Sequence, residues 1–121
     1  MVDYKTLVIG ASTKAERYAH QAVLRLLNAS IEVVPMGVKP GKIADIDFVP
    51  PFTSHKGIHT VSLYLSPSRQ EEYFDYVINL KPKRVIFNPG TENISFAKKL
   101  SAAGIFWENA CTLVLLSTDQ Y

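Results

Sequence analysis

The sequence predicts an α/β domain with a mostly parallel, five-stranded sheet. Two observations carry that prediction. Short apolar, β-branched runs alternate with stretches of helical period, and such alternation places helices on the faces of a parallel sheet. The 121 residues, 47% hydrophobic and 20% charged, have the composition of one globular domain able to bury a core without staples. The expected domain spans residues 1–121.

Each element can be read in order. Thr6-Leu7-Val8-Ile9 is a short apolar run ending at Gly10, as a buried strand would. From Arg17 to Asn28 the period changes to that of a helix, with Tyr18, Ala19, Ala22, Val23, Leu26 and Leu27 on one face. Ile31 to Val34 is the second strand, expected to stop at Pro35. Residues 36–58 carry Gly, Pro and Lys without a period and read as a long connection, with room for a short helix near Ala44 or a strand near Phe48. Thr60 to Tyr64 is the third strand. Ser66-Pro67 marks a helix start, serine as N-cap and proline in the first turn, and Tyr73, Phe74, Val77 and Ile78 form its apolar stripe up to Lys81-Pro82. Arg84 to Phe87 is the fourth strand. A helix beginning near Thr91 or Asn93 buries Phe96, Ala97 and Leu100 and stops at Gly104. Ile105-Phe106-Trp107 is the fifth strand, and Ala110 to Ser117 is a short helix or apolar cap.

Composition excludes several function classes. Thirteen basic and eleven acidic residues leave a net charge of +2, too little to argue for nucleic acid. No apolar run approaches the ~18 residues of a membrane span. One cysteine, Cys111, cannot form an internal disulfide framework, and with scattered His20, His55 and His59 it makes no zinc site. The opening Met1-Val2-Asp3-Tyr4-Lys5 lacks the apolar stretch of a secretion signal, so a cytoplasmic location is expected.

Ligands of open parallel sheets bind at the carboxyl ends of the strands, where strand order reverses. That rule selects four loops. In the first, Gly10 permits a tight turn, Ala11, Ser12 and Thr13 follow it, and the two hydroxyls are donors. The helix beyond offers free N–H groups and a positive dipole end, while Lys14 and Arg17 add charge. The alternative is an ordinary strand-to-helix turn with solvated charges. The second loop runs from Pro35, Met36 and Gly37 through Lys39 to Lys42, two lysines about a Pro-Gly turn that suit a diphosphate or ribose phosphate. The third holds Tyr64, Ser66 and Pro67, the fourth Asn88, Pro89 and Gly90. The Walker pattern is absent. The dinucleotide pattern G-x-G-x-x-G fails at Ser12 and Ala15, and Val33 and Val34 continue the strand past Glu32, where a ribose-binding acid is expected.

Gly10-Ala11-Ser12, Arg17-Tyr18-Ala19-His20, Val34-Pro35, Pro40-Gly41-Lys42 and Asn109-Ala110-Cys111 together resemble the small stand-alone CoA-binding proteins. These are similar to the N-terminal domain of the succinyl-CoA synthetase alpha subunit. The likeness extends over roughly residues 4 to 116. It implies a Rossmann-like three-layer sandwich that binds coenzyme A or an acyl-CoA, the first loop taking phosphates and the second facing the adenosine end. Tyr64 to Pro67 would contact the adenine or the pantetheine arm, and Asn88 to Thr91 with Asn109 would lie near the thiol. Three places depart from the family pattern: Met36-Gly37-Val38 where Asn-Pro is usual, Phe87-Asn88-Pro89 where Trp and Gln are usual, and Glu16, a carboxylate in the phosphate turn.

No catalytic constellation can be assembled. Cys111 sits among small apolar residues, as an inert buried thiol does, and Ser62 lacks a nucleophile-elbow context. The resemblance implies that catalysis in the larger ligases uses a histidine in a further domain, so an enzymatic role here would require a partner enzyme or a reaction supplied by the thioester itself. Tyr73, Phe74, Tyr76, Phe106 and Trp107 are core candidates, with a homodimer contact as the alternative. The leading expectation is non-catalytic CoA binding. Two others stand beside it: an NAD(P)- or other nucleotide-binding enzyme subunit, in which Glu32 reaches the ribose, and an interaction module whose ligand site has decayed.

Overall fold

A computed structural model describes residues 4–121 of the chain; residues 1–3, on which part of the reading of the N-terminus rests and where the expected domain limit falls, lie outside the described residues. Five strands form one sheet, all parallel: β1 (Thr6–Ile9), β2 (Val33–Met36), β5 (Thr60–Leu63), β6 (Arg84–Phe87) and β7 (Phe106–Asn109), in the spatial order β2-β1-β5-β6-β7. The first crossover, through α1 (Tyr18–Asn28), moves to one side of β1. The later ones, through α2 (Pro67–Gln70) with α3 (Phe74–Leu80) and through α4 (Ile94–Ala102), move to the other. Right-handed crossovers running in opposite directions place their helices on opposite faces.

The cores follow the two-residue period of the strands. Leu7, Ile9, Val61, Leu63, Val85 and Phe87 point to the α3–α4 face and pack with Tyr73, Phe74, Val77, Phe96 and Leu100. Val8 and Val33 point to the other face and pack with Val23 and Leu26 of α1, with Leu116 of α5 (Thr112–Ser117) against them. Helix, sheet and helix thus form three layers. Tyr73 and Phe74 are core residues, while Phe106 on the edge strand β7 is exposed.

Local signals hold where they are chemical. Asn93 caps α4 by accepting from the Phe96 N–H at 3.2 Å. Gly104 follows α4 at φ +76, and the Ile105 N–H closes on Leu100. The second strand, however, does not stop at Pro35. Proline sits inside β2 because β2 is an edge strand: its carbonyl faces outward to the Val49 N–H at 2.8 Å, on the side away from β1, so the missing proline N–H breaks no bond of the sheet. The long connection forms no helix near Ala44; a strand lies beside Phe48, as one of the two expectations had it, but as one arm of a hairpin. Lys42–Ile43 (β3) and Ile46–Asp47 (β4) form a small antiparallel hairpin, with Ala44 at φ +54 in its turn. Ile43 is buried in the α1-side core and anchors it there.

Candidate functional site

Gly10 follows β1 at φ +99, a conformation that disfavours side chains, and a Cβ there would lie 3.1 Å from the carbonyl carbon of Tyr64. The turn is therefore pressed against the end of β5. On its other side, the Gly10 and Ala11 N–H groups donate to the Met36 carbonyl at 3.0 and 2.9 Å. These two N–H groups are thus engaged, because β1–β2 pairing continues past the strand ends, which leaves the Ser12 and Thr13 hydroxyls and the start of α1 as the loop's donors. Farther along the loop, Ser12 Oγ accepts from the Lys14 N–H at 3.1 Å, and Nδ1 of His20 lies 2.9 Å from the Ser12 carbonyl. At the N-cap of α1 stands Arg17, which makes no side-chain capping bond, and the first turn carries no acid. The helix start keeps its positive end uncompensated.

The loop after β2 closes on this turn. A Cβ at Gly41 would lie 2.5 Å from Cγ2 of Thr13, so the glycine lets the two loops approach without displacing the Thr13 side chain. Phe48, just past the hairpin, donates its N–H to the Gly41 carbonyl at 2.8 Å.

Between these loops and the end of β5 lies a cleft of about 630 Å³, within the roughly 300–1,000 Å³ of ligand clefts. It sits where strand order turns back at β1, the expected place for a ligand. The structure brings together Gly10, Ala11, Ser12, Thr13, Lys14, Arg17, Lys39 and Tyr64 of the expected residues, and adds Tyr18, Val38, Phe48 and Arg69. Lys14, Arg17, Lys39 and Arg69 form no ion pair among the described residues, and the lining includes no carboxylate, histidine or cysteine. Glu16 is exposed and does not line the cleft. This donor set fits a ligand bearing several phosphate charges. The Tyr64 hydroxyl is buried beside Thr112 and Ser62, and burial pushes its pKa up to about 12.

The remaining expected residues lie elsewhere. Met36 is buried in the core and contributes its carbonyl, and Pro35 and Gly37 are buried behind the cleft. Lys42 is exposed on β3, paired in register with Asp47. Ser66, Pro67, Pro89, Gly90 and Asn109 are exposed outside the lining. Asn88 turns inward: its amide donates to Ser62 Oγ and the Leu63 carbonyl, each at 2.9 Å, and its oxygen accepts from the Thr112 N–H at 2.8 Å. Cys111 is half-buried at the N-cap of α5, more accessible than its apolar neighbours suggested. Glu32 pairs with Lys5 at 3.3 Å immediately before β2, at the end of the sheet opposite the cleft. It is not placed to reach a ribose there. Arg69 gives no signal in the sequence beyond its position in the first turn of the helix that follows β5.

A parallel sheet that reverses order at its first strand, with a glycine turn and a basic cleft on its carboxyl edge, is the architecture of the Rossmann-like α/β class. Within that class the chain belongs to the CoA binding domain family, which it matches over residues 4–117. Among solved structures, the crystal structure of an uncharacterized protein is 40% identical, with 100% of both chains covered and a TM-score of 0.96. A hypothetical protein from Pyrococcus horikoshii OT3 is 26% identical over 95% of this chain and 82% of that one, with a TM-score of 0.86. A Thermus thermophilus protein shares the fold at 20% identity, covering 98% of this chain and 91% of that one, with a TM-score of 0.85. No curated protein matches the sequence. No helix among the described residues is long and apolar enough to cross a membrane.

Proposed function

We propose that the protein binds coenzyme A, free or acylated, in the cleft at the end of β1, and that it does so without catalysing a reaction. The observation that carries this reading is the lining: Lys14, Arg17, Lys39 and Arg69 converge on one cleft with no opposing carboxylate. Coenzyme A carries a pyrophosphate and a ribose phosphate, so it rewards several cations at once. Lys14, Arg17 and the open start of α1 hold the pyrophosphate, and Ser12 and Thr13 add hydroxyl donors. Lys39, which lines the cleft from the β2 side, meets the ribose phosphate in this reading. The lining holds no carboxylate, histidine or cysteine, which favours a protein that carries, senses or presents its ligand.

A thermal-shift series with CoA, acetyl-CoA, NAD, NADP and ATP tests the reading. A ligand at 100 times its Kd adds about 2.7 kcal/mol, on the order of 10 °C in Tm for a domain of this size. CoA and acetyl-CoA are expected to give the largest shift, and Lys14→Ala with Arg17→Ala to abolish most of it. Equal or larger shifts with NAD would replace this reading by dinucleotide binding. No shift with any nucleotide would leave an interaction module.

A further inference from the structure

The cleft is not basic throughout. Tyr18 and Val38 line it while remaining 70% and 60% exposed, two of the largest apolar exposures among the described residues. Tyr18 belongs by sequence to the apolar face of α1. As the first helical residue, however, it lies beyond the part of that face, from Ala19 to Leu26, that is buried against the sheet. Its ring therefore stays at the cleft rim, one residue from the Arg17 guanidinium, and Val38 reaches the same cleft from the β2 loop. An exposed apolar rim beside unpaired cations is complementary to a molecule with a flat, weakly polar part joined to phosphates.

We infer that Tyr18 is the platform on which the ligand's purine ring stacks, with Val38 covering the ring from the β2 side. The inference rests on the nucleotide reading above and assigns its base end to named residues. Stacking suits this position because every base presents a π-face and tyrosine fixes its ring at small conformational cost. Tyr18 thus favours ligands that retain adenosine over those carrying only the phosphorylated arm.

The test measures Kd by calorimetry for CoA, ADP and 4′-phosphopantetheine with wild type, Tyr18→Ala and Tyr18→Phe. Because Tyr18 is largely exposed, neither substitution opens the core, and unchanged melting of the free proteins verifies that. Tyr18→Ala is expected to weaken CoA and ADP on the order of tenfold, with 4′-phosphopantetheine unchanged and Tyr18→Phe close to wild type. In Tyr18→Trp, CoA is expected to quench the new indole fluorescence. Equal losses for all three ligands, or no loss for CoA and ADP, would overturn the platform while leaving CoA binding in place. Wild type that binds ADP but not CoA would sink the CoA reading, and the ADP loss in Tyr18→Ala would then decide the platform alone. Wild type that binds neither CoA nor ADP would sink both.

Discussion

Nδ1 of His20 lies 2.9 Å from the carbonyl oxygen of Ser12, joining the second residue after Gly10 to the first turn of α1. A carbonyl can only accept, so Nδ1 donates. The bond closes the loop on its own helix and sets where Ser12, Thr13 and Lys14 face. His20→Ala is expected to weaken CoA binding about three- to tenfold through a looser loop, and to cost roughly 1 kcal/mol of stability. Calorimetry and chemical denaturation of the same variant check the pair. An affinity equal to wild type would show that the loop holds its shape unaided.

Arg69 enters the cleft from α2, across from Lys14 and Lys39, without an ion-pair partner among the described residues. Arg69→Ala is expected to reduce CoA affinity by about tenfold or more, the scale of a lost charge-assisted hydrogen bond. Arg69→Lys should recover part of it. The dependence of Kd on salt should become shallower in both Arg69→Ala and Lys14→Ala. Undiminished binding in Arg69→Ala would remove this residue from the site.

Asn88 joins β6, β5 and α5 through three buried hydrogen bonds. Asn88→Ala would leave the Thr112 N–H and the Leu63 carbonyl short of these bonds in the interior. A loss of about 2–4 kcal/mol follows, on the order of 10 °C in Tm. Asn88→Asp keeps the acceptor for Thr112 but loses both donated bonds and buries a charge, so it should be no more stable than the alanine variant. A thermal melt of each settles the order.

Alkaline pH should destabilise the fold through its buried tyrosines. Burial pushes the hydroxyls of Tyr64 and Tyr76 up to about 12 from their ordinary 10.0, and raises Tyr73 and Tyr121 as well. A raised folded pKa means the neutral form is favoured in the native state. The contribution is complete below pH 10 and is lost as pH rises toward about 12. Denaturant midpoints should fall across that window, and less steeply in Tyr64→Phe with Tyr76→Phe. At the acid end the sign reverses. Burial and then Lys5 lower the pKa of His55, so stability it contributes above its ordinary 6.5 declines as pH falls below that value.

What can be read locally was read correctly. The runs at Thr6, Thr60 and Arg84 become strands because a buried parallel strand needs only a short apolar, β-branched stretch. The helix start at Pro67 and the Gly104 stop hold because proline's fixed φ and glycine's positive φ act on near neighbours; Ser66 stands at the N-cap but makes no side-chain capping bond. Pro35 was misread as a terminator because its tolerance depends on β2 being an edge strand, and edge position is a property of the whole sheet. A strand near Phe48 is legible, but its pairing into a hairpin over Lys42–Asp47 is not, because strands of two residues each are too short to show a period.

By itself the sequence determined the order of the five sheet strands and the helices between them, the glycine turn after β1 and the family to which the chain is similar, since all of these rest on neighbours along the chain. Only the tertiary structure decided which loop residues share a space. It turned Asn88 inward, placed Glu32 at the far end of the sheet, left Tyr18 at the rim and drew Arg69 into the cleft. The physical reason is that a site at the carboxyl edge of a parallel sheet is assembled from separate crossovers. The direction each side chain takes there is set by packing between segments far apart in the chain.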